Sequence, residues 1–183
     1  MLNAKRQGFT LMEIVLVMVL IAILATGVAI GFTSYINRGH ETGITTDYNS
    51  TFQNPVRMSA IEKGRLPRMS DLKSTVIADG FVAYTGTDWQ TAITESSADV
   101  LKNNAAGAKF GVEKGNKRYE VSLTTFDEAT KTIGGGGAAP APAIMVRADH
   151  SSKETTAIYV LNSAKNDVVT YVGTVDGDEL VID

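Results

Sequence analysis

Glu13 is the residue whose position points most directly to chemistry. After the basic opening MLNAKRQG, it is the one charged side chain in the run FTLMEIVLVMVLIAILATGVAIGFTSYIN, and residues 14–37 carry no charge. A carboxylate inside an apolar stretch opposes membrane insertion by a few kcal/mol, so it requires a partner. If the chain is cut between Gly8 and Phe9, the new α-amino group, with an ordinary pKa of about 7.7–8.0, provides one.

Phe9 and Glu13 are four residues apart and share one face of a helix. The ion pair can therefore form within one chain or between chains whose helices are staggered. Pairing between chains gives the acid a purpose, because an unpaired carboxylate in the membrane is penalised and docking against a neighbour's N-terminus relieves that penalty. The spacing predicts that Phe9 and Glu13 act in subunit assembly.

The apolar run must form a helix that holds this acid in a membrane. Residues 14–37 would make a helix about 36 Å long, enough to cross a hydrocarbon core of about 30 Å. Lys5 and Arg6 precede the run, so the positive-inside rule places the N-terminus in the cytoplasm. A secretory signal peptide cut after Gly27-Val28-Ala29 is the alternative, and the acid and the length of the run argue against it.

The N-terminal residues closely resemble a known signal. Basic residues, Gly8, the sequence Phe9-Thr10-Leu11-Met12-Glu13 and an unbroken aliphatic run are similar to the class III signal of type IV pilins and of the pseudopilins of type II secretion. The resemblance implies that a prepilin peptidase removes residues 1–8 as a leader by cutting after Gly8. It also implies N-methylation of Phe9, a role for Glu13 in polymerisation, and a structural subunit rather than an enzyme.

Two features differ from many members of this family. Many members have a proline in the second half of the apolar helix, and this chain has none there. Gly27 and Gly31 are predicted to supply flexibility instead, because each glycine weakens a helix by about 0.8–1.0 kcal/mol relative to alanine. Close helix packing through small residues four apart is the other interpretation. The chain also has no cysteine, so something other than a disulfide must secure its C-terminal region.

The helix is predicted to continue to residue 63. An apolar stripe at i, i+4 spacing would pack on the globular domain, and its members are Ile36, His40, Ile44, Tyr48, Phe52, Val56 and Ala60. Asn54-Pro55 predicts either a kink or a new helix capped by Asn54. Gly64 is a predicted terminator, and Gly64-Arg65-Leu66-Pro67 resembles the Gly-x-Tyr-Pro turn that follows the long helix in many pilins and major pseudopilins.

The fold class predicted from the whole pattern is α+β and type IV pilin-like. A long N-terminal helix, residues 9–63 with an apolar transmembrane part at 9–36, would pack on an antiparallel sheet in a globular domain of residues 64–183. From Arg118 onward the apolar period is two, which predicts short strands. These are centred on Tyr119-Val121-Leu123, Ile144-Val146, Ile158-Val160, Val168-Thr170-Val172 and Leu180-Ile182. A helix at about Trp89–Lys102 and a loop at 134–143 complete the prediction.

No catalytic pattern accompanies these elements, and no cofactor is expected apart from calcium. Asp176, Asp178 and Glu179 supply the hard oxygen ligands that calcium prefers. The EF-hand spacing is absent, which favours an acidic β-turn around Gly177 instead. A basic cluster, whose members are Lys109, Lys114, Lys117 and Arg118, is interpreted as a solvated surface, with contact to DNA or to a neighbouring subunit as the alternatives.

The sequence therefore predicts a major pilin. Copies would wait in the inner membrane, be processed by prepilin peptidase, and polymerise through the assembly machinery into an extracellular type IV pilus. A net charge of −3 argues against a general nucleic-acid binder. The alternatives are a pseudopilin in a periplasmic pseudopilus, a minor pilin, and a membrane-anchored or secreted soluble domain; a surface ligand is not identified.

Overall fold

The computed structural model describes residues 10–85, 107–135, 139–149 and 154–182. The helix predicted at about Trp89–Lys102 lies outside these residues. The chain divides between His40 and Glu41 into two compact units. The first helix, α1, runs from Leu11 to Asp47 and contributes to both units.

The first unit is dominated by the apolar part of α1. Leu11–Val28 has a mean hydropathy of 2.7, and none of this segment is buried. Its length and composition are sufficient for it to cross a membrane.

Three further helical segments belong to the second unit. A π-helical turn, Tyr48–Gln53, joins α1 to α2, Asn54–Lys63, and α3 spans Met69–Ala78. Pro55 lies in the first turn of α2, and Gln53 and Asn54 before it have helical backbone angles, so the helical path continues through the proline. Asn54 is already helical and Gln53 precedes it as the N-cap, so the predicted cap at Asn54 is not formed. Gly64 has a φ of 61°, and its N–H donates to the Ala60 carbonyl at 2.9 Å, which ends α2.

Within the described ranges, eight antiparallel strands form one sheet in the order β1-β2-β3-β4-β8-β7-β6-β5, with β3 also paired to β5. The strands are β1 Val82–Ala83, β2 Lys109–Lys114, β3 Lys117–Asp127, β4 Thr132–Ile133, β5 Ala141–Asp149, β6 Thr155–Asn162, β7 Asp167–Asp176 and β8 Glu179–Ile182. Since β4 pairs with both β3 and β8, the strands β3, β5, β6, β7, β8 and β4 form a closed circuit. Every predicted strand is present, and the loop predicted at 134–143 ends earlier because β5 begins at Ala141.

Apolar side chains on the two faces of the sheet enter two separate cores. The larger core joins Tyr48, Phe52 and Val56 of the helical segments to Tyr119 of β3 and Tyr159 of β6. The smaller core lies within the closed circuit and is formed by Phe126, Ala143, Ile158, Val160 and Leu180. Strand β6 supplies both cores, which explains why Thr156 to Leu161 are buried without alternation.

The predicted helical stripe is buried from Ile44 to Ala60 and contacts the sheet. Ile36 lies in the first unit and is 43% exposed, and its packing on the globular domain stays a prediction. The α+β prediction, with an N-terminal apolar helix and an antiparallel sheet, is confirmed.

Candidate functional site

Glu13 lies in the first turn of α1, where Thr10 binds its carboxylate. Glu13 Oε2 accepts hydrogen bonds from the Thr10 backbone N–H at 2.8 Å and from the Thr10 hydroxyl at 2.9 Å. The Thr10 hydroxyl oxygen in turn accepts the Glu13 backbone N–H at 3.3 Å. This reciprocal arrangement is a capping box, and it holds the carboxylate at the end of the helix where the macrodipole favours negative charge.

Thr10 was not among the residues predicted for the site. The signal was present, because Thr-x-x-Glu before an apolar run is the sequence pattern of a capping box. The capping box binds one carboxylate oxygen, Oε2, with two donors. Glu13 remains exposed, so its carboxylate is accessible to a cation from another chain.

The surface beside Glu13 is almost entirely apolar. Large side chains along α1 are half or more exposed, including Leu11, Met12, Leu16, Met18, Ile21, Ile23, Leu24, Val28 and Phe32. Exposed apolar surface of this extent marks an interaction or membrane site in a native protein. Chemically, the segment offers a lipid-compatible face and one acid near its end.

Residues 3–29 match the family model described as the prokaryotic N-terminal methylation motif. The chain carries the class III signal of type IV pilins and pseudopilins. The match ends at residue 29, and neither a curated protein nor a solved structure matches the chain. The signal implies processing by a prepilin peptidase and assembly into filaments, and it points to a structural subunit rather than an enzyme.

The class III signal contains most of the predicted site residues. Gly8 and Phe9 lie outside the described residues, so cleavage and N-methylation there stay predictions, as does the assembly role of Glu13. Gly27 and Gly31 both lie within α1, whose helical hydrogen bonding is unbroken at these positions. Open space surrounds Gly27, with nothing within 4 Å of a Cβ built there. The predicted flexibility of this segment also stays a prediction.

The predicted calcium ligands lie at the turn between β7 and β8. Asp176 and Glu179 are paired across the hairpin, and Gly177 has a φ of 61° that suits glycine. The Asp178 carbonyl accepts the Ile133 N–H at 2.7 Å, which ties the turn to β4. Among the described residues, no three His, Cys, Asp or Glu side chains are grouped to hold a metal ion. The acidic turn is formed, and calcium binding there stays a prediction.

The predicted basic cluster is divided among contacts within the second unit. Lys114 donates to the Asp79 carbonyl at 3.0 Å, and Arg118 pairs with Glu113 at 3.8 Å. Lys109 pairs with Glu120 at 3.5 Å, and Lys117 pairs with Asp47. Each of these cations therefore has a partner within the second unit, and contact with DNA stays an untested alternative.

Proposed function

We propose that the protein is the major pilin of a type IV pilus, a structural subunit that polymerises into an extracellular filament. The observation that carries this proposal is the class III signal joined to an apolar helix segment, Leu11–Val28, none of which is buried among the described residues. Two successive environments can bury the apolar surface of such a helix. The membrane covers it in the subunit pool, and the helices of other copies cover it in the filament.

In this mechanism, apolar packing provides most of the cohesion between subunits. Burial of apolar surface stabilises by about 25 cal/mol per Å², and the exposed side chains of residues 11–28 are available for it. The contact between Glu13 and the α-amino group of a neighbour's Phe9 mainly sets the axial register, since buried ion pairs have a modest net value. Residues 41–183 then form the part of the subunit outside the filament core.

A pseudopilin of type II secretion is the second candidate. The absence of cysteine and the turn at Gly64-Arg65-Leu66-Pro67 favour it. In that case the same helix would polymerise into a periplasmic pseudopilus, and the N-terminal mechanism would be unchanged.

Mass spectrometry of material sheared from the cell surface tests the proposal. A mature chain that begins with methylated Phe9 and is the most abundant protein of long surface filaments supports a major pilin. The same processed chain found only in the cell envelope, without long filaments, favours the pseudopilin. An uncut Met1 or a start at Ile30 contradicts both, because neither leaves an α-amino group four residues before Glu13.

A further inference from the structure

Asp47, the last residue of α1, meets Lys117 and Tyr119 of β3 in a small enclosed cluster. The Lys117 ammonium group contacts Asp47 Oδ2, and their side chains are 20% and 11% exposed. The Tyr119 hydroxyl donates to the same oxygen at 2.6 Å. Aromatic rings enclose one side, with Tyr48 and Phe52 packed against the Tyr119 ring at centroid distances of 6.2 and 5.3 Å.

Gly43 makes the approach of Lys117 to the helix possible. Lys117 Nζ also donates to the Gly43 carbonyl at 3.4 Å, one helical turn before Asp47. A Cβ at position 43 would lie 3.3 Å from Nζ. Any larger side chain would therefore meet the amine, and glycine leaves the path to Asp47 open.

This pair differs from the other ion pairs in the described part of the chain. Four of those pairs use arginine, whose guanidinium stays protonated and is a poor nucleophile; they are Arg57–Asp167, Arg118–Glu113, Arg147–Glu120 and Arg147–Glu154. The pair of Lys109 and Glu120 does contain an amine, but the two groups are 3.5 Å apart and the lysine side chain is 36% exposed. Lys117 and Asp47 combine an amine, a carboxylate in direct contact and a hydrogen-bond donor on that carboxylate.

We propose that Lys117 and Asp47 join through an intramolecular amide bond that covalently fastens the helix to the sheet. Proton transfer from the ammonium group to the carboxylate, which it contacts directly, gives a neutral amine and a carboxylic acid. The amine nitrogen attacks Asp47 Cγ and forms the C–N bond. The C–Oδ1 bond then breaks, and Oδ1 leaves as water with one proton from the acid and one from the nitrogen.

Tyr119 stabilises the charge that develops during this reaction. Its hydroxyl already donates to Oδ2, the oxygen that becomes negative when nitrogen adds to Cγ, and a donor at that position lowers the barrier. The fold holds amine and acid together, which replaces a bimolecular encounter by a reaction of high effective concentration. The step consumes no oxidant, reductant or cofactor.

The bond would close a loop between residues that are 70 positions apart. Cross-links of this span restrict the unfolded chain and stabilise the folded one. It would give a cysteine-free subunit a covalent connection between its helix and its sheet, a connection that reducing agents do not cleave.

Peptide mass spectrometry on the full-length wild-type chain, extracted from membranes and digested with trypsin, tests the proposal directly. A modified Lys117 resists cleavage, so the amide predicts a branched species in which residues 39–57 are joined to residues 115–118, lighter than the two peptides together by one water. Its fragment ions should place the junction at Asp47 and Lys117. Denatured wild-type protein should also migrate faster in gels than Lys117→Arg, which keeps the cation and removes the nucleophilic amine.

Four variants complete the design. Lys117→Arg and Asp47→Ala should abolish the branched peptide, Tyr119→Phe should reduce its yield, and Lys109→Arg at the other lysine pair should leave it unchanged. Recovery of residues 39–57 at full mass, with normal cleavage after Lys117, overturns the proposal. Loss of water from residues 39–57 without attachment to residues 115–118 also overturns it, because that product is a cyclisation within one peptide.

Discussion

Among the described residues Thr10 binds the Glu13 carboxylate, and under the proposed function a neighbouring chain supplies a further partner. Thr10 binds a carboxylate oxygen through the capping box, which satisfies the acid in a single subunit. The predicted α-amino group of a neighbouring Phe9 would add a charge that Thr10 does not supply. The capping box and the assembly contact therefore need different properties of the same side chain, hydrogen-bond acceptance for the first and negative charge for the second.

Glu13→Val should leave leader removal intact but impair filament assembly, because it removes the charge that pairs with the neighbour's N-terminus. Glu13→Gln is the matched variant, since its amide oxygen retains the capping acceptor without the charge. We expect both variants to accumulate as processed subunits in the membrane, measured by immunoblot of membrane and sheared fractions. Normal filaments composed only of Glu13→Gln subunits would show that the charge is not required.

Gly173 of β7 is predicted to tolerate no side chain. A Cβ at this position would lie 2.1 Å from the Val181 carbonyl oxygen on the paired strand β8. Gly173→Ala should separate the two strands and destabilise the second unit by more than about 1 kcal/mol. Urea unfolding followed by circular dichroism measures this change.

Gly39→Ala is the control for that experiment, because a Cβ at position 39 meets nothing within 4 Å and alanine favours a helix. We expect the Gly39→Ala midpoint to be equal to or higher than the wild-type midpoint. A Gly173→Ala midpoint that matches the wild type would contradict the close approach of β7 and β8.

The secondary-structure elements differ in how well their sequences predict them. Strand β3 presents Tyr119, Val121 and Leu123 to the larger core, and the resulting period of two predicts this strand. Helix α3 was not predicted, although Met69, Leu72 and Val76 are spaced for one buried helical face. The π-helical turn was also missed, because Pro55 indicates a break and does not specify the wider turn before it.

The pairing of β4 with β8 could not be derived from a local pattern. It consists of one residue pair, Thr132 and Glu179, far apart in the sequence. The contact between Asp47 and Lys117 could not be predicted for the same reason. The sequence patterns assign Asp47 to the long helix and Lys117 to a basic cluster, and neither pattern pairs the two residues. The class III signal, in contrast, is a local pattern, and its identification needed no knowledge of the fold.

The Asp127 carboxylate, at the end of β3, binds both the turn before β4 and the segment before β5. One carboxylate oxygen accepts the N–H groups of Ala129 and Thr130 at 2.9 and 3.2 Å, and the other accepts the N–H of Ala139 at 3.0 Å. Asp127→Ala would leave these donors without their acceptor, at about 1–3 kcal/mol for each group that stays buried. We expect faster hydrogen exchange at Ala129 and Ala139 and a lower unfolding midpoint.

Asp127→Asn tests the geometry of this contact, because the asparagine retains one oxygen acceptor and loses the other. We expect Asp127→Asn to restore slow hydrogen exchange at only one of the two amides, either Ala129 or Ala139. Equal hydrogen-exchange rates at Ala129 and Ala139 in the wild type and in Asp127→Ala would show that the Asp127 hydrogen bonds do not protect these amides.

Hydroxyl groups of buried tyrosines connect the helical layer of the second unit to the sheet. The Tyr48 hydroxyl donates to the Thr155 carbonyl at 2.6 Å, and the Tyr159 hydroxyl donates to the Tyr48 carbonyl at 2.8 Å. Tyr119 donates to Asp47. Burial is the largest cause that raises the pKa of all three tyrosines above the ordinary value, so each phenol stays protonated in the folded chain at a pH where the unfolded chain loses its proton.

The second unit should therefore lose stability in alkali. Below pH of about 10 both states keep the phenol protons, whereas above it the unfolded state binds fewer, and stability falls by up to about 1.4 kcal/mol per pH unit for each buried tyrosine. Urea unfolding of the detergent-solubilised chain between pH 8 and pH about 11.5 measures the slope.

Tyr159→Phe should lower stability by about 1 kcal/mol at pH 8 through the lost hydrogen bond and make the alkaline slope shallower. Tyr35→Phe, at a position 76% exposed, should change neither quantity, and an alkaline slope that Tyr159→Phe leaves unaltered would show that Tyr159 does not contribute to it.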